Sequence, residues 1–198
     1  DTKVDRDCGE LPAQLKENGV TEKEGLDQSA VQYETGEKIP QELIRKLIDA
    51  ANFNTGYFCC RQLSFGMLDM AWHTRTEPFD GDVIAFEKQA WAQTVIVPEV
   101  SGTLMSSSFG HIFSGGYAAG YYGYKWAEVL DADAFSVFKA TGIFNRETAR
   151  SFRENVLSKG GTEDPAILYK RFRGQEPTID ALLIRNGIKQ AEPKAISK

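Results

Sequence analysis

Apolar residues recur at helical spacing along most of the chain, whereas alternating strand patterns are few. Behind Pro40, which opens the clearest helix, the apolar stripe consists of Leu43, Ile44, Leu47, Ile48 and Ala51. The segment from about Tyr57 to His73 is mostly apolar, which predicts a second long helix that is buried on most of its sides. A third helix is predicted over Val83 to Thr94. The pattern therefore predicts a mainly α fold with little β structure.

Shorter helices are predicted towards both ends of the chain. Pro12 to Asn18 is a candidate helix, and Glu147 to Leu157 has an amphipathic pattern. Asp164 and Pro165 suit the N-cap and first turn of a helix that continues to Phe172. Thr178 is predicted to cap a last short helix, which ends near Gly187.

The segment Phe109 to Glu128 combines many glycines with a ladder of tyrosines. Its five glycines, which suit a backbone that turns sharply or moves, are Gly110, Gly115, Gly116, Gly120 and Gly123. The side chains spaced to share one helix face are Tyr117, Tyr121, Tyr124 and Glu128, and His111 stands at the entrance of the segment. A second stripe, predicted to pack inward, consists of Tyr122, Trp126, Val129 and Leu130.

The tyrosine ladder has two interpretations. Phenol hydroxyls behind a mobile glycine loop are well placed to donate hydrogen bonds to a developing oxyanion. Alternatively, the rings fill the core, as aromatic stripes usually do. Leu or Phe is the commoner choice for a core stripe, and a core stripe needs neither five glycines nor a histidine beside it. We therefore favour the functional interpretation.

Composition and charge narrow the classes of function. The chain of 198 residues has a net charge of −5 and no basic cluster, which argues against nucleic acid and against an anionic membrane surface as partners. Its longest apolar run, around Val95 to Val97, is too short to cross a bilayer. Three cysteines without metal-type spacing, at positions 8, 59 and 60, favour a reducing compartment, so we predict a cytoplasmic protein. Because the chain starts with neither a signal peptide nor Met, we expect it to begin inside a longer protein.

Several motifs together resemble a known family. GHIFSGGYAAGYYGYKWAEV, with FNRET, FRENVLSKGGTEDP and FRGQEPTIDALLIRNGI further on, is similar to the C-terminal part of the thimet oligopeptidase and peptidyl-dipeptidase Dcp family of zinc metallopeptidases. The likeness begins at TKVDRDCGELPAQLKEN and covers about Thr2 to Gly187. It implies a helical C-terminal portion of a peptidase catalytic domain. We expect a single domain over 1–198, with a third-ligand segment and connection at 1–30, a helical body at 31–187 that holds a glycine–tyrosine loop at 109–124, and a tail at 188–198.

The resemblance also implies roles for individual residues. They are oxyanion stabilisation by Tyr117 and Tyr124, substrate binding by His111, Gly115, Gly116 and Tyr121, and ligation of zinc, as its third ligand, by Glu10. Around this last residue the chain departs from the family, with Cys8-Gly9 in place of a bulky apolar pair and Ala13 in place of a common serine. From composition alone, Glu10 is a solvated surface carboxylate.

The zinc-binding motif of the family, HExxH, is missing from the sequence. One of the two histidines, His73, ends an apolar helix and is predicted to be structural, with a local partner. The resemblance therefore implies Zn²⁺ in the parent enzyme, whereas we expect the chain alone to bind none and to be inactive. The implied partners are short peptide substrates, the missing N-terminal half and, through exposed apolar faces, a second copy of the chain.

Two functions remain open from the sequence. The first is part of a zinc oligopeptidase, with either endopeptidase or dipeptidyl-carboxypeptidase action on short peptides. The second is a non-catalytic peptide-binding or structural module that has lost the zinc helix. An HExxH motif encoded just upstream of Asp1 would favour the first.

Overall fold

The computed structural model describes residues 4–190, and its regular structure is helical. The α-helices are α1 (Leu11–Glu17), α2 (Lys23–Ser29), α3 (Gln41–Ala51), α4 (Thr55–His73), α5 (Val83–Trp91), α6 (Gly110–Phe113), α7 (Gly123–Thr141), α8 (Arg146–Phe152), α9 (Pro165–Arg173) and α10 (Asp180–Arg185). The described residues form no β-strand, and an isolated antiparallel bridge pairs Val31 with Lys38. The predicted mainly α fold is confirmed. Most of the predicted tail, 191–198, lies outside the described residues.

Two compact units make up the fold. The first unit combines the described parts of Asp1–Phe53 and Trp126–Lys198, and the second unit is Asn54–Lys125. The single domain expected from the sequence stays a prediction. Within residues 4–190, none of the helices has both the length and the apolar content that crossing a membrane requires.

The core of the first unit forms around α7. Its buried side chains come from α1, α7, α8, the turn after α8, and α9: Leu11, Leu15, Leu130, Ala134, Phe135, Phe138, Phe152, Val156 and Tyr169. Positions 130, 134 and 138 recur at four-residue intervals, so they share one face of α7. Short helices are marginal by themselves, and burial of these faces is what stabilises them.

Two buried carboxylates on α7 tie the C-terminal helices to this core. Asp133 accepts hydrogen bonds from the Tyr169 hydroxyl at 2.7 Å and from Arg173 Nε at 3.0 Å. Asp131 pairs with Arg185 of α10. Burial, reinforced by the Asp133 carboxylate, raises the pKa of the Tyr169 hydroxyl. Because buried charges need partners, these pairs hold α9 and α10 against α7.

The predicted helices are present, with some ends shifted. α5 ends at Trp91, three residues before the predicted end at Thr94. The predicted N-cap of α9 is confirmed, since the Asp164 carboxylate accepts the Ala166 N–H at 2.8 Å. The amphipathic segment 147–157 forms α8 and then a π-helical turn.

The start of α10 differs from the prediction. α10 begins at Asp180, with Ile179 at the N-cap position, so the predicted capping by Thr178 is wrong. The Thr178 hydroxyl instead donates a hydrogen bond to the Asp133 carboxylate at 3.4 Å. Thr178 therefore binds a carboxylate that is distant in sequence and does not cap the free backbone N–H groups at the start of α10.

Two apolar segments are less buried than predicted. α4 buries one side only, with Ser64, Phe65, Leu68 and Asp69 inside, while Leu63, Met67 and Met70 on its other sides stay exposed. In the second stripe of the segment 109–128, Leu130 is buried, but Tyr122 is 51% and Trp126 is 44% exposed. The predicted inward packing of these two rings is therefore wrong. Apolar content makes a helix face able to be buried, but burial also requires a packing neighbour.

Candidate functional site

The glycine–tyrosine loop runs through irregular turns between α6 and α7. Tyr117 and Tyr121 lie in these turns, so the single helix face predicted for 117–128 is wrong. Gly116 and Ala119 adopt left-handed backbone conformations, with φ of 82° and 52°. Such residues cannot continue a right-handed helix, and they redirect the chain before α7 begins.

The loop nevertheless gathers the predicted side chains into one group. The rings of Tyr117 and Tyr124 stack with centroids 5.0 Å apart and an interplanar angle of 23°, and Tyr121 lies 5.1 Å from Tyr124. The imidazole of His111 lies 6.1 to 6.4 Å from all three tyrosine rings. We call these four residues the His–Tyr cluster. The structure brings them together through folding of the loop and not through helical spacing.

The members of the His–Tyr cluster differ in burial. Tyr121 is buried in the second unit's core against Phe65 and Phe109, and its hydroxyl donates a hydrogen bond to Gln62 Oε1 at 3.1 Å. Burial, followed by the neighbouring Tyr124, raises its pKa. His111 is exposed, and Tyr117 and Tyr124 are half-buried. The ring of Tyr121 therefore supports the cluster from inside, while the other three side chains reach its surface.

Close backbone approach explains one of the predicted glycines. A Cβ atom at Gly115 would lie 2.9 Å from the Cα atom and 3.0 Å from the carbonyl oxygen of His111. The same turn is closed by two hydrogen bonds, from the Gly115 N–H to the Gly110 carbonyl at 2.7 Å and from the Tyr117 N–H to the His111 carbonyl at 3.0 Å. Only glycine fits this turn, so position 115 shapes the loop. Direct substrate binding by Gly115 and Gly116, both exposed, stays a prediction.

Two buried carboxylates hold the loop at its ends. Glu87 of α5 accepts the Met105 N–H at 2.9 Å, and the Ser106 N–H and hydroxyl both at 2.6 Å, ahead of the loop. Asp69 of α4 accepts backbone N–H groups at the far end. Sequence reasoning missed both residues. A lone acidic residue inside a largely apolar helix was the available signal. Such a residue is buried only when it has a hydrogen-bonding or charged partner, so each of these positions pointed to a buried contact.

Nearly the whole chain, and not only the glycine–tyrosine loop, matches a known protein family. Residues 1–188 match the sequence profile of peptidase family M3. The chain belongs to peptidase family M3. This membership confirms the resemblance to the thimet oligopeptidase and peptidyl-dipeptidase group.

Named M3 relatives align along almost the whole chain. Oligopeptidase A of Escherichia coli is 47% identical over 184 residues, which are 92% of this chain and 27% of the relative. Dipeptidyl carboxypeptidase of Escherichia coli is 39% identical over 189 residues, or 94% of this chain and 28% of the relative. Saccharolysin of Saccharomyces cerevisiae is 38% identical over 184 residues, or 92% and 26%. The chain thus spans about a quarter of the length of these M3 relatives.

The described M3 residues do not form a zinc site by themselves. Glu10 is half-buried in the first unit, at the N-cap position of α1. Between residues 4 and 190, no group of three or more His, Cys, Asp or Glu side chains is arranged to hold a metal ion. His73 Nδ1 instead lies 2.8 Å from the Asp69 carboxylate, which is the local partner predicted for it. A catalytic zinc site normally takes three protein ligands, so zinc ligation by Glu10 stays a prediction.

The M3 segment next to Glu10 carries a thiol of low expected reactivity. Burial, with the Asp7 and Asp5 carboxylates nearby, raises the pKa of the Cys8 thiol from 9.0 to about 11. With a pKa of about 11, only a small fraction of Cys8 is ionised at about pH 8, and the thiolate is the reactive form. We expect iodoacetamide at pH 8 to alkylate Cys8 far more slowly in the folded chain than in urea, as measured by peptide mass spectrometry. Equal rates in the two states would contradict this.

Proposed function

We propose that this chain is the C-terminal part of a zinc-dependent oligopeptidase or peptidyl-dipeptidase that hydrolyses short peptides. Its contribution is the wall of the active site that binds the peptide and stabilises the transition state. The observation that supports this proposal is the His–Tyr cluster, which a glycine-rich loop assembles in a chain of peptidase family M3.

Tyr117 and Tyr124 have the chemistry of oxyanion donors. Attack of water on a peptide carbonyl leaves a negative charge on the carbonyl oxygen. A phenol is neutral at pH 7, since its reference pKa is about 10, and its hydrogen bond strengthens as that charge develops. The two rings stack with their centroids 5.0 Å apart, so the two phenols are immediate neighbours. His111 and the exposed backbone at Gly115 and Gly116 contact the peptide.

The remaining parts of the active site come from outside this chain. The family's HExxH motif is not in the sequence, so residues outside this chain would hold the zinc ion, which would supply the activation of water. Exposed apolar side chains support a covering partner: Leu43, Leu47 and Ile48 on α3, and Phe58, Met67 and Met70 on α4. We propose that the N-terminal half of the protein covers such surfaces, and that the isolated chain covers them by self-association. We also propose a cytoplasmic location.

The test compares the isolated chain with the full-length protein that carries it. We expect the full-length protein to hydrolyse a short quenched fluorescent peptide, to lose this activity with a chelator, and to regain it with Zn²⁺. The isolated chain is expected neither to hydrolyse the peptide nor to retain stoichiometric zinc, because it offers two histidines that are not spaced as zinc ligands. Hydrolysis by the isolated chain, or a full-length protein that is inactive with Zn²⁺, would contradict the proposal.

The alternative is a non-catalytic peptide-binding or structural module. It is favoured by the missing HExxH motif. Peptide binding without hydrolysis by the full-length protein would support it.

A further inference from the structure

Asp69 is the most deeply buried charge of the second unit, and most of its partners belong to the glycine–tyrosine loop. Its side chain is 0% exposed. One carboxylate oxygen accepts the Ala119 N–H at 2.9 Å, and the other accepts the Tyr121 N–H at 2.9 Å. His73 Nδ1 lies 2.8 Å from the first of these oxygens and 2.8 Å from the Asp69 carbonyl oxygen. Both neighbours of Nδ1 are acceptors, so this nitrogen carries a proton and donates it.

We propose that Asp69 is a positioning residue for the peptidase reaction, acting through the loop backbone on Tyr117, Tyr121 and Tyr124. The inference rests on the proposed function for its catalytic consequence. Its structural part, that the carboxylate fixes the conformation of 119–121, stands on the contacts alone.

The carboxylate and the loop depend on each other. A buried carboxylate is stable only while its hydrogen-bond donors stay in place, so a shift of residues 119–121 would leave Asp69 unpaired in the core. The loop in turn needs the carboxylate, because Ala119 has a φ of 52°, a conformation that costs energy for every residue except glycine. Two N–H groups that point at one anion compensate for that strain.

The hydrogen bonds from residues 119 and 121 to Asp69 lie close in sequence to the proposed oxyanion donors, Tyr117 and Tyr124. Tyr121 donates its backbone N–H directly to the Asp69 carboxylate, and its ring lies 5.1 Å from Tyr124, which stacks on Tyr117 at 5.0 Å. A displacement of the backbone at 119–121 therefore moves the rings that carry the hydroxyls. Misplacement of catalytic groups by about 1 Å is enough to cost on the order of 100-fold in rate.

The first test is Asp69→Asn in the full-length protein. Asparagine keeps the shape and one acceptor oxygen, but its NH₂ group faces a backbone N–H where the second oxygen stood. We expect amide hydrogen exchange in the segment 117–122 to accelerate about 10- to 100-fold. Turnover is expected to fall on the order of 10- to 100-fold while KM stays within a few-fold. Asp80→Asn, an exposed site in the same unit, is the matched control and is expected to change neither quantity.

A second pair of variants approaches the same backbone without touching the core. Ala119 is exposed, so a larger side chain meets solvent. Ala119→Val disfavours positive φ and is expected to change exchange and turnover in the same direction as Asp69→Asn. Ala119→Gly adopts this conformation without strain and is expected to lose less activity than the valine variant.

The outcomes separate the inference from the proposed function. Unchanged exchange at 117–122 in Asp69→Asn overturns the anchoring by Asp69. Accelerated exchange with unchanged turnover overturns its positioning role. If the full-length protein is inactive with Zn²⁺, the proposed function fails, and if Tyr117→Phe and Tyr124→Phe both keep normal turnover, the oxyanion role of these tyrosines fails. In both cases the exchange rates still decide whether Asp69 holds the loop.

Discussion

Replacing Tyr124 or Tyr117 by phenylalanine in the full-length protein is expected to lower turnover by about 100- to 1000-fold, or roughly 2.7–4 kcal/mol, the loss measured when one oxyanion donor is removed elsewhere. KM is expected to stay within a few-fold, because the hydroxyl bond is strongest in the transition state.

Phenylalanine at either position is expected to leave the fold of the loop intact. The two rings stack on one another at 5.0 Å with 23° between their planes, and phenylalanine preserves that contact. Both positions are half-buried, so loss of the hydroxyl leaves no large cavity. A kinetic effect would then report on the hydroxyl and not on the fold.

Matched variants sharpen the measurement. Tyr122→Phe removes a hydroxyl from an exposed ring outside the His–Tyr cluster and is expected to leave kcat and KM unchanged. His111→Ala is expected to weaken both kcat and KM, because this residue positions the loop and the peptide. If Tyr117→Phe and Tyr124→Phe both behave like Tyr122→Phe with intact folding, the tyrosines act in packing and the mechanism is wrong.

The helices were predictable because their signals are local. The stripe behind Pro40 marks α3, and the Asp164 carboxylate caps α9 through a donor two residues away. The existence of these elements depends on side chains a few positions apart, which the sequence displays directly. The burial of a helix face depends on its packing neighbours, which can be distant in sequence. The exposed Met67 and Met70 on α4 show that apolar content alone does not reveal which face has such a neighbour.

The path of the loop was not predictable from spacing. Tyr117, Tyr121 and Tyr124 fit a helix by sequence, yet two of them lie in turns that left-handed residues create. The contacts that fix those turns join residues about fifty positions apart, from Asp69 to Ala119 and Tyr121. Motif resemblance found the cluster because it relies on residue identity and not on the backbone path.

Asp133→Ala is expected to have the largest effect on stability among single substitutions in the first unit, about 3–5 kcal/mol of unfolding free energy. The carboxylate is 1% exposed and accepts from the Tyr169 hydroxyl, from Arg173 Nε and Nη2, and from Thr178. Its removal takes away the carboxylate partner of the Arg173 guanidinium, leaves the Tyr169 hydroxyl with the Leu130 carbonyl as its acceptor at 3.2 Å, and opens a cavity beside the core. Asp133→Asn keeps the volume and one acceptor oxygen, so its loss is expected to be smaller.

The comparison that decides the point is Glu163→Ala. Glu163 binds Arg171 through two hydrogen bonds, at 3.0 and 2.7 Å, but both side chains keep substantial contact with solvent, at 37% and 41% exposed. Water screens such pairs, so this variant is expected to lose far less unfolding free energy than Asp133→Ala. Urea unfolding of the 198-residue chain, followed by circular dichroism, measures both losses, and an unchanged m-value shows that the same surface unfolds. Equal losses in Asp133→Ala and Glu163→Ala would mean that burial adds nothing to the α7–α9 pair, and the account of how α9 is held would be wrong.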